Sequence, residues 1–129
     1  MSTVKGSKAT KGQLEALISD AVVRFEKDFM GRGPLETKSY IIDDMILVRL
    51  KRVLTPAEHQ LAQSQDQDGR DLIKKVRVAL IEKGRSLLDT SIEDIVGIKV
   101  ISLHTDISTV TGERIIIFTL ASPTRFRQE

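Results

Sequence analysis

Two pairs of strand-forming runs, each joined by only a few residues, restrict this chain more than any other feature. TKSYII and MILVRL are separated by Asp43-Asp44, and IKVISLHTDI and RIIIFTL by STVTGE. A parallel pair needs a crossover of a dozen or more residues, so each pair is predicted to be an antiparallel hairpin. Aspartates tolerate turn conformations and bond their own backbone, and Thr111-Gly112 supplies the glycine that a tight turn needs for positive φ. Two such hairpins predict an antiparallel four-stranded sheet.

The helical segments supply what covers it. Thr10 and Gln13 have the spacing of a capping box, and Leu14, Leu17, Ile18, Ala21, Val22, Phe25 and Phe29 recur at three and four residues. Gly31 stops that helix and Pro34 prevents its resumption. Thr55, Pro56 and Glu58 open a second helix as N-cap, first-turn proline and capping-box acid. It is predicted to run toward Leu88 as two segments in line, interrupted near QSQDQDG, where propensity is poor. Leu61, Leu72, Ile73, Val76, Ala79, Leu80 and Leu87 fall close to one helical face, and Lys74, Lys75, Arg77, Lys83 and Arg85 read as its solvated side. SIEDIVG reads as one more short helix, capped by Ser91 and ended by Gly97. The fold expected is α+β in the order α-β-β-α-β-β: a four-stranded, mainly antiparallel sheet with helices packed on one face. Residues 10–121 are expected to form a single domain, residues 1–9 a mobile basic tail and residues 122–129 a C-terminal tail.

Cysteine is absent, and no apolar run approaches the roughly 18–20 residues that cross a bilayer, which excludes disulfides and membrane spans. No secretory signal opens the chain, so a cytoplasmic location is expected. The formal charge is +2. Removing the three lysines of the first eleven residues and the net +1 of Arg125, Arg127 and Glu129 leaves a body of about −2. The basic character therefore belongs to the tails.

His104, Asp106 and Glu113 are the residue types that bind metal or do acid–base work, and His104 and Asp106 share a strand face. A zinc site wants three or four protein ligands, however, and His59 sits in a different helix. Ser108 and Thr109 lack the surroundings of a catalytic nucleophile. Asp106, Ser108, Thr109 and Thr111 read most simply as side chains that satisfy turn backbone. The glycine-rich GRGP presents Arg32 beside Gly33, where a guanidinium can hold a carboxylate or phosphate. Arg49, Lys51, Arg52 and Lys38 could make a basic strand face for RNA, although Tyr40 is the only aromatic residue nearby to stack a base. No catalytic residue, metal or cofactor is predicted. The positions proposed for ligand or partner contact are Arg32, Gly33, Asp43, Asp44, His104, Asp106, Thr109 and Glu113.

GRGP at the end of the first helix, IIDDMILVRLKRVLTPAE, GRDLIKKVR and VISLHTDISTVTGERIIIFTL, in that order, resemble the MpsC-like family of small bacterial proteins. The resemblance covers roughly residues 10–121. It implies association rather than chemistry: the family takes its name from a sodium-translocating, membrane-potential-generating system whose other components are implicated in inorganic-carbon uptake. The reading that follows is a non-enzymatic interaction or regulatory module, accessory to a membrane ion or bicarbonate transport system. It is expected in the cytoplasm, peripherally at the inner face of the membrane, with membrane transporter subunits as protein partners and a homodimer as its own state. A small-ligand or anion sensor, or an RNA-binding module, is the alternative.

Overall fold

The structure, a computed structural model, describes residues 8–31, 33–63 and 67–127. Helix α1 (Lys11–Met30) opens on the expected capping box: the Gln13 N–H donates to Thr10 Oγ1 at 3.2 Å and the Thr10 N–H to Gln13 Oε1 at 2.9 Å. It closes at Gly31, whose φ of 81° lets its N–H reach the Lys27 carbonyl. Strands β1 (Glu36–Ile42) and β2 (Met45–Lys51) then form the first hairpin, with Asp43 in the left-handed region at the turn. Helices α2 (Pro56–Gln63) and α3 (Gln67–Val96) lead to the second hairpin, β3 (Val100–Ile107) and β4 (Arg114–Leu120).

The sheet order is β1-β2-β4-β3, and every neighbouring pair is antiparallel. The hairpins thus join through β2 and β4, with Leu47 opposite Ile117 and Val48 opposite Ile116. One face presents Ile41, Ile46, Val48, Leu50, Ile116, Phe118 and Leu120 to the helices, and these side chains are buried. From the helices come Leu14, Ile18, Val22 and Phe25 of α1 and Ile73, Ile81, Leu88 and Ile92 of α3. Helix α1 lies against β1 and α3, and α3 against β3. Where the two helices meet, Gly84 admits the stacked rings of Phe25 and Phe29, whose nearest atoms lie 2.6 and 2.9 Å from where a β-carbon would be.

The structure changes three readings of the second helical region. Its two segments are not in line: nineteen residues of continuous helix would separate Glu58 from Arg77 by about 28 Å, yet their side chains are 2.7 Å apart. α2 therefore folds back along α3. The proposed interruption at residues 64–66 lies outside the described residues. SIEDIVG is not a separate helix but the last turns of α3, and Ser91 donates its hydroxyl to the Leu87 carbonyl inside that helix instead of capping a new one. Finally, the buried stripe of α3 is Ile73, Arg77, Ile81, Gly84, Leu88, Ile92 and Ile95, rotated away from the predicted one. Leu61, Leu72, Val76 and Leu87 are left exposed.

Both ends of the described chain touch the body. Ala9 is buried, the Arg127 N–H donates to the Ala9 carbonyl, and Phe126 packs against the core.

Candidate functional site

The least expected feature is charge in the core. Glu26 of α1, Arg77 of α3 and Arg114 of β4 are each at most 2 % exposed. Glu26 accepts from Arg77 Nη1 at 3.4 Å and from Arg114 Nη1 at 3.3 Å. Glu58 of α2 grips the same Arg77 with both oxygens, 2.7 Å to Nη2 and 3.0 Å to Nε, while also closing its own capping box with Thr55. Arg77 Nη2 reaches the Val53 carbonyl as well, and Arg114 Nε donates to Thr105 Oγ1. Two acids and two bases thus cancel at the point where three helices and the sheet converge. A carboxylate in such a position needs its partners, because an unpaired buried charge costs several kcal/mol.

Burial pushes the Glu26 carboxyl above its ordinary range, and Arg114 and Arg77 pull it back only in part. Burial also lowers Arg114, with Glu26 opposing. Burial draws Glu58 upward too, but the Arg77 guanidinium and Thr55 outweigh it and hold this carboxyl below its ordinary value. A depressed acid binds protons less readily folded than unfolded, so Glu58 contributes stability above its unfolded value of about 4.5 that is lost as the pH falls through its folded value. Glu58→Gln is therefore expected to melt below the native chain at pH 7. The gap should close progressively as the pH drops below about 4.5, as read by thermal melts across a pH series.

Among the described residues, no helix covers the opposite face of the sheet. Its register places Lys38, Arg49, Ile115 and Asp106 in one row, Tyr40, Leu47, Ile117 and His104 in the next, and Ile42, Met45, Thr119 and Ser102 in a third. Tyr40 and Ile42 are 42 % and 46 % exposed, and Leu47, Ile115 and Ile117 are half-buried between them. The result is an apolar strip across β1, β2 and β4, bordered by Ser102, His104 and Asp106 of β3 and with charged residues at one end. Antiparallel sheets tolerate a solvated face when it alternates to polar residues. Here β2 and β4 place mostly apolar residues on it.

The sequence-predicted site residues are spread over this framework. His104 and Asp106 do share the outer face, but Glu113 turns away from them to pair with Arg49 of β2. His104 shares a hydrogen bond with Ser102, while Asp106 accepts from the Ile107 N–H at 2.8 Å and reaches Lys74 at 3.3 Å. Those donors hold the Asp106 carboxylate below its usual range, the Ile107 N–H most of all. Among the described residues no group of three or more potential metal ligands comes together. Thr109 sits in the β3–β4 turn, where the Ser108 hydroxyl accepts from the N–H groups of Val110 and Thr111, and the Thr111 hydroxyl from that of Glu113. Asp43 and Asp44 lie at the far end of the sheet, their carbonyls accepting from Thr124 and Leu120. Gly33 lies against the Lys27 side chain, and Arg32 lies outside the described residues. Beside the β3–β4 turn, a cleft of about 490 Å³ is lined by Arg52, Thr55, His59 and Thr111 over an apolar wall of Leu54, Pro56 and Val110. Arg52, at φ 56°, abuts Gly112, and the Val53 N–H donates to the Gly112 carbonyl.

Sequence reasoning missed the buried charges, though a signal was present. Arg77 stands four residues from both Ile73 and Ile81. Glu26 follows Val22 by four, and Arg114 alternates with Ile116 and Phe118. Charges are almost never buried unless paired, and here both signs stand at core spacing.

Against models of protein families, residues 10–122 match the one described as Na+-translocating membrane potential-generating system (MpsC). Among curated proteins, the chain is similar to the uncharacterized protein YbcI of Bacillus subtilis (strain 168): 44 % identical over 115 residues, which cover 89 % of this chain and 91 % of that one. No solved structure matches.

Proposed function

Because the chain belongs to the MpsC family, we propose that it is a non-enzymatic interaction module, an accessory of a membrane ion or bicarbonate transport system that works in the cytoplasm at the inner face of the membrane. The observation that carries this reading is the sheet face without helices. Tyr40, Ile42, Leu47, Ile115 and Ile117 present apolar surface flanked by charge, the composition of an interface core with a polar rim. No helix among the described residues is long and apolar enough to cross a membrane, so its place in such a system is through contact with a subunit that does. In this reading the chain also pairs with itself as a homodimer.

The reading predicts recruitment. Co-expressed with the membrane components of such a system, the full chain is expected to sediment with the membrane fraction, and to stay in the supernatant when those components are omitted. An equal distribution in both preparations would overturn it.

A further inference from the structure

The exposed face of α3 carries an apolar stripe. Leu72, Val76, Ala79, Leu80, Lys83 and Leu87 follow one another at helical spacing within a sector of about 100° and over about 22 Å of helix. Leu72, Val76 and Leu87 are 50 %, 45 % and 58 % exposed, Ala79 is exposed and Leu80 half-buried. The buried stripe of the same helix, centred on Arg77, Ile81 and Gly84, faces elsewhere. An apolar helical stripe in water invites a partner helix.

We infer that α3 pairs antiparallel with α3 of a second copy, the two-fold axis passing between Ala79 and Leu80. This deepens the homodimer part of the proposed function by naming its seam, and it rests on the reading of the chain as an interaction module. The occupant follows from the order of the side chains. With Ala79 of one copy opposite Leu80 of the other, Leu72 falls opposite Leu87 and Val76 opposite Lys83, at both ends alike. A small residue faces a large one at the centre, leucine faces leucine at each end, and the Lys83 stem covers Val76 while its ammonium reaches water. Charge points the same way. Lys75 and Glu82 lie along a single flank of the stripe, seven residues apart, and antiparallel pairing brings Lys75 of each copy beside Glu82 of the other. Within one chain, neither makes a salt bridge among the described residues. A helix hairpin this short sits at the small end of specific interfaces, so the dimer is expected to form at about 1–100 μM.

The test is sedimentation of the full chain over a concentration series. The native chain should pass from monomer to dimer in that range, and Ala79→Glu, which keeps a helix former at an exposed position, should weaken pairing at least about tenfold by placing two carboxylates near the axis. Lys75→Glu and Glu82→Lys should each weaken it by about threefold to tenfold, and the double exchange Lys75→Glu with Glu82→Lys should restore it, because the two charges meet only between copies. A native chain that stays monomeric at every concentration would overturn the inference. So would an Ala79→Glu chain with native melting that still dimerises, or a double exchange no better than the singles. The two proposals fail separately: a monomeric Ala79→Glu chain that still sediments with partner-bearing membranes leaves the accessory reading standing and fits the seam. A dimer that ignores those membranes supports the seam and removes the accessory reading.

Discussion

Replacing Arg77 with methionine is expected to lower the free energy of unfolding by about 3–5 kcal/mol, the scale for removing one partner of a buried ion pair. The loss is large because Arg77 serves three groups at once: Glu26, both oxygens of Glu58 and the Val53 carbonyl. Without it Glu26 keeps only Arg114, in a place where burial already raises its carboxyl above the ordinary range. The helix α2 also loses its main anchor, since none of its side chains is fully buried. Urea denaturation of the variant reads the loss directly. Exchanging Glu26, Arg77 and Arg114 together for leucine, methionine and methionine is expected to recover part of it, because a well-packed apolar core substitutes for a buried ion cluster far better than a broken cluster does. A cost below about 1 kcal/mol for Arg77→Met would mean that the cluster contributes as little as a surface pair.

The second large effect is expected at Gly84. Alanine is the better helix former by about 1 kcal/mol, so on propensity alone Gly84→Ala should stabilise α3. Packing reverses the sign. The added β-carbon would stand 2.6 Å from Phe25 and 2.9 Å from Phe29, both ring atoms of a stacked pair, and ring atoms cannot yield as a flexible chain end does. Overpacking of that kind costs about 1–3 kcal/mol and occasionally more. The variant should therefore melt lower despite its better propensity. Shortening the obstructing ring by Phe29→Leu in the same chain should cost less than the two single changes added together, the sign of coupling between neighbours. A Gly84→Ala chain that melts higher than the native one would show that α1 and α3 do not approach as described.

Much of the fold was legible because its local signals agree with one another. Both capping boxes, Thr10 with Gln13 and Thr55 with Glu58, form the predicted reciprocal bonds. Both hairpins turn where Asp43-Asp44 and Thr111-Gly112 mark them, and the sheet is antiparallel with helices on one face. These features depend on a few adjacent residues. The misreadings come where long-range contacts decide. Periodicity finds a stripe on α3 but cannot tell which of two neighbouring stripes is covered, so it places Leu72, Val76 and Leu87 on the apolar face and Arg77 on the solvated one. The true buried stripe contains a glycine and an arginine, which lower its apparent hydrophobicity. Gly84 is there because two rings need its space, and Arg77 because α1, α2 and the segment before α2 bring it partners from 19 to 51 residues away.

The candidate site was legible only in part, for a similar reason. His104 and Asp106 share a face, as two-residue spacing in a strand requires. Glu113, the third residue grouped with them by type, does not join them. It pairs with Arg49 instead because β4 lies between β3 and β2, and the outer face runs on toward β2. Strand order is a tertiary fact that neither hairpin contains by itself. The same order turns Tyr40, Leu47 and Ile117 from residues of three separate strands into one continuous strip.

The central claim is that this chain acts through protein contact at that strip. The most direct test is affinity capture of the tagged full chain from detergent-solubilised membranes of its own host, beside an Ile117→Asp variant shown to fold by its thermal melt. The account predicts that the native chain retains subunits of a membrane transport system and that Ile117→Asp loses them. Equal retention by both chains, or no transport subunit with the native one, would contradict it.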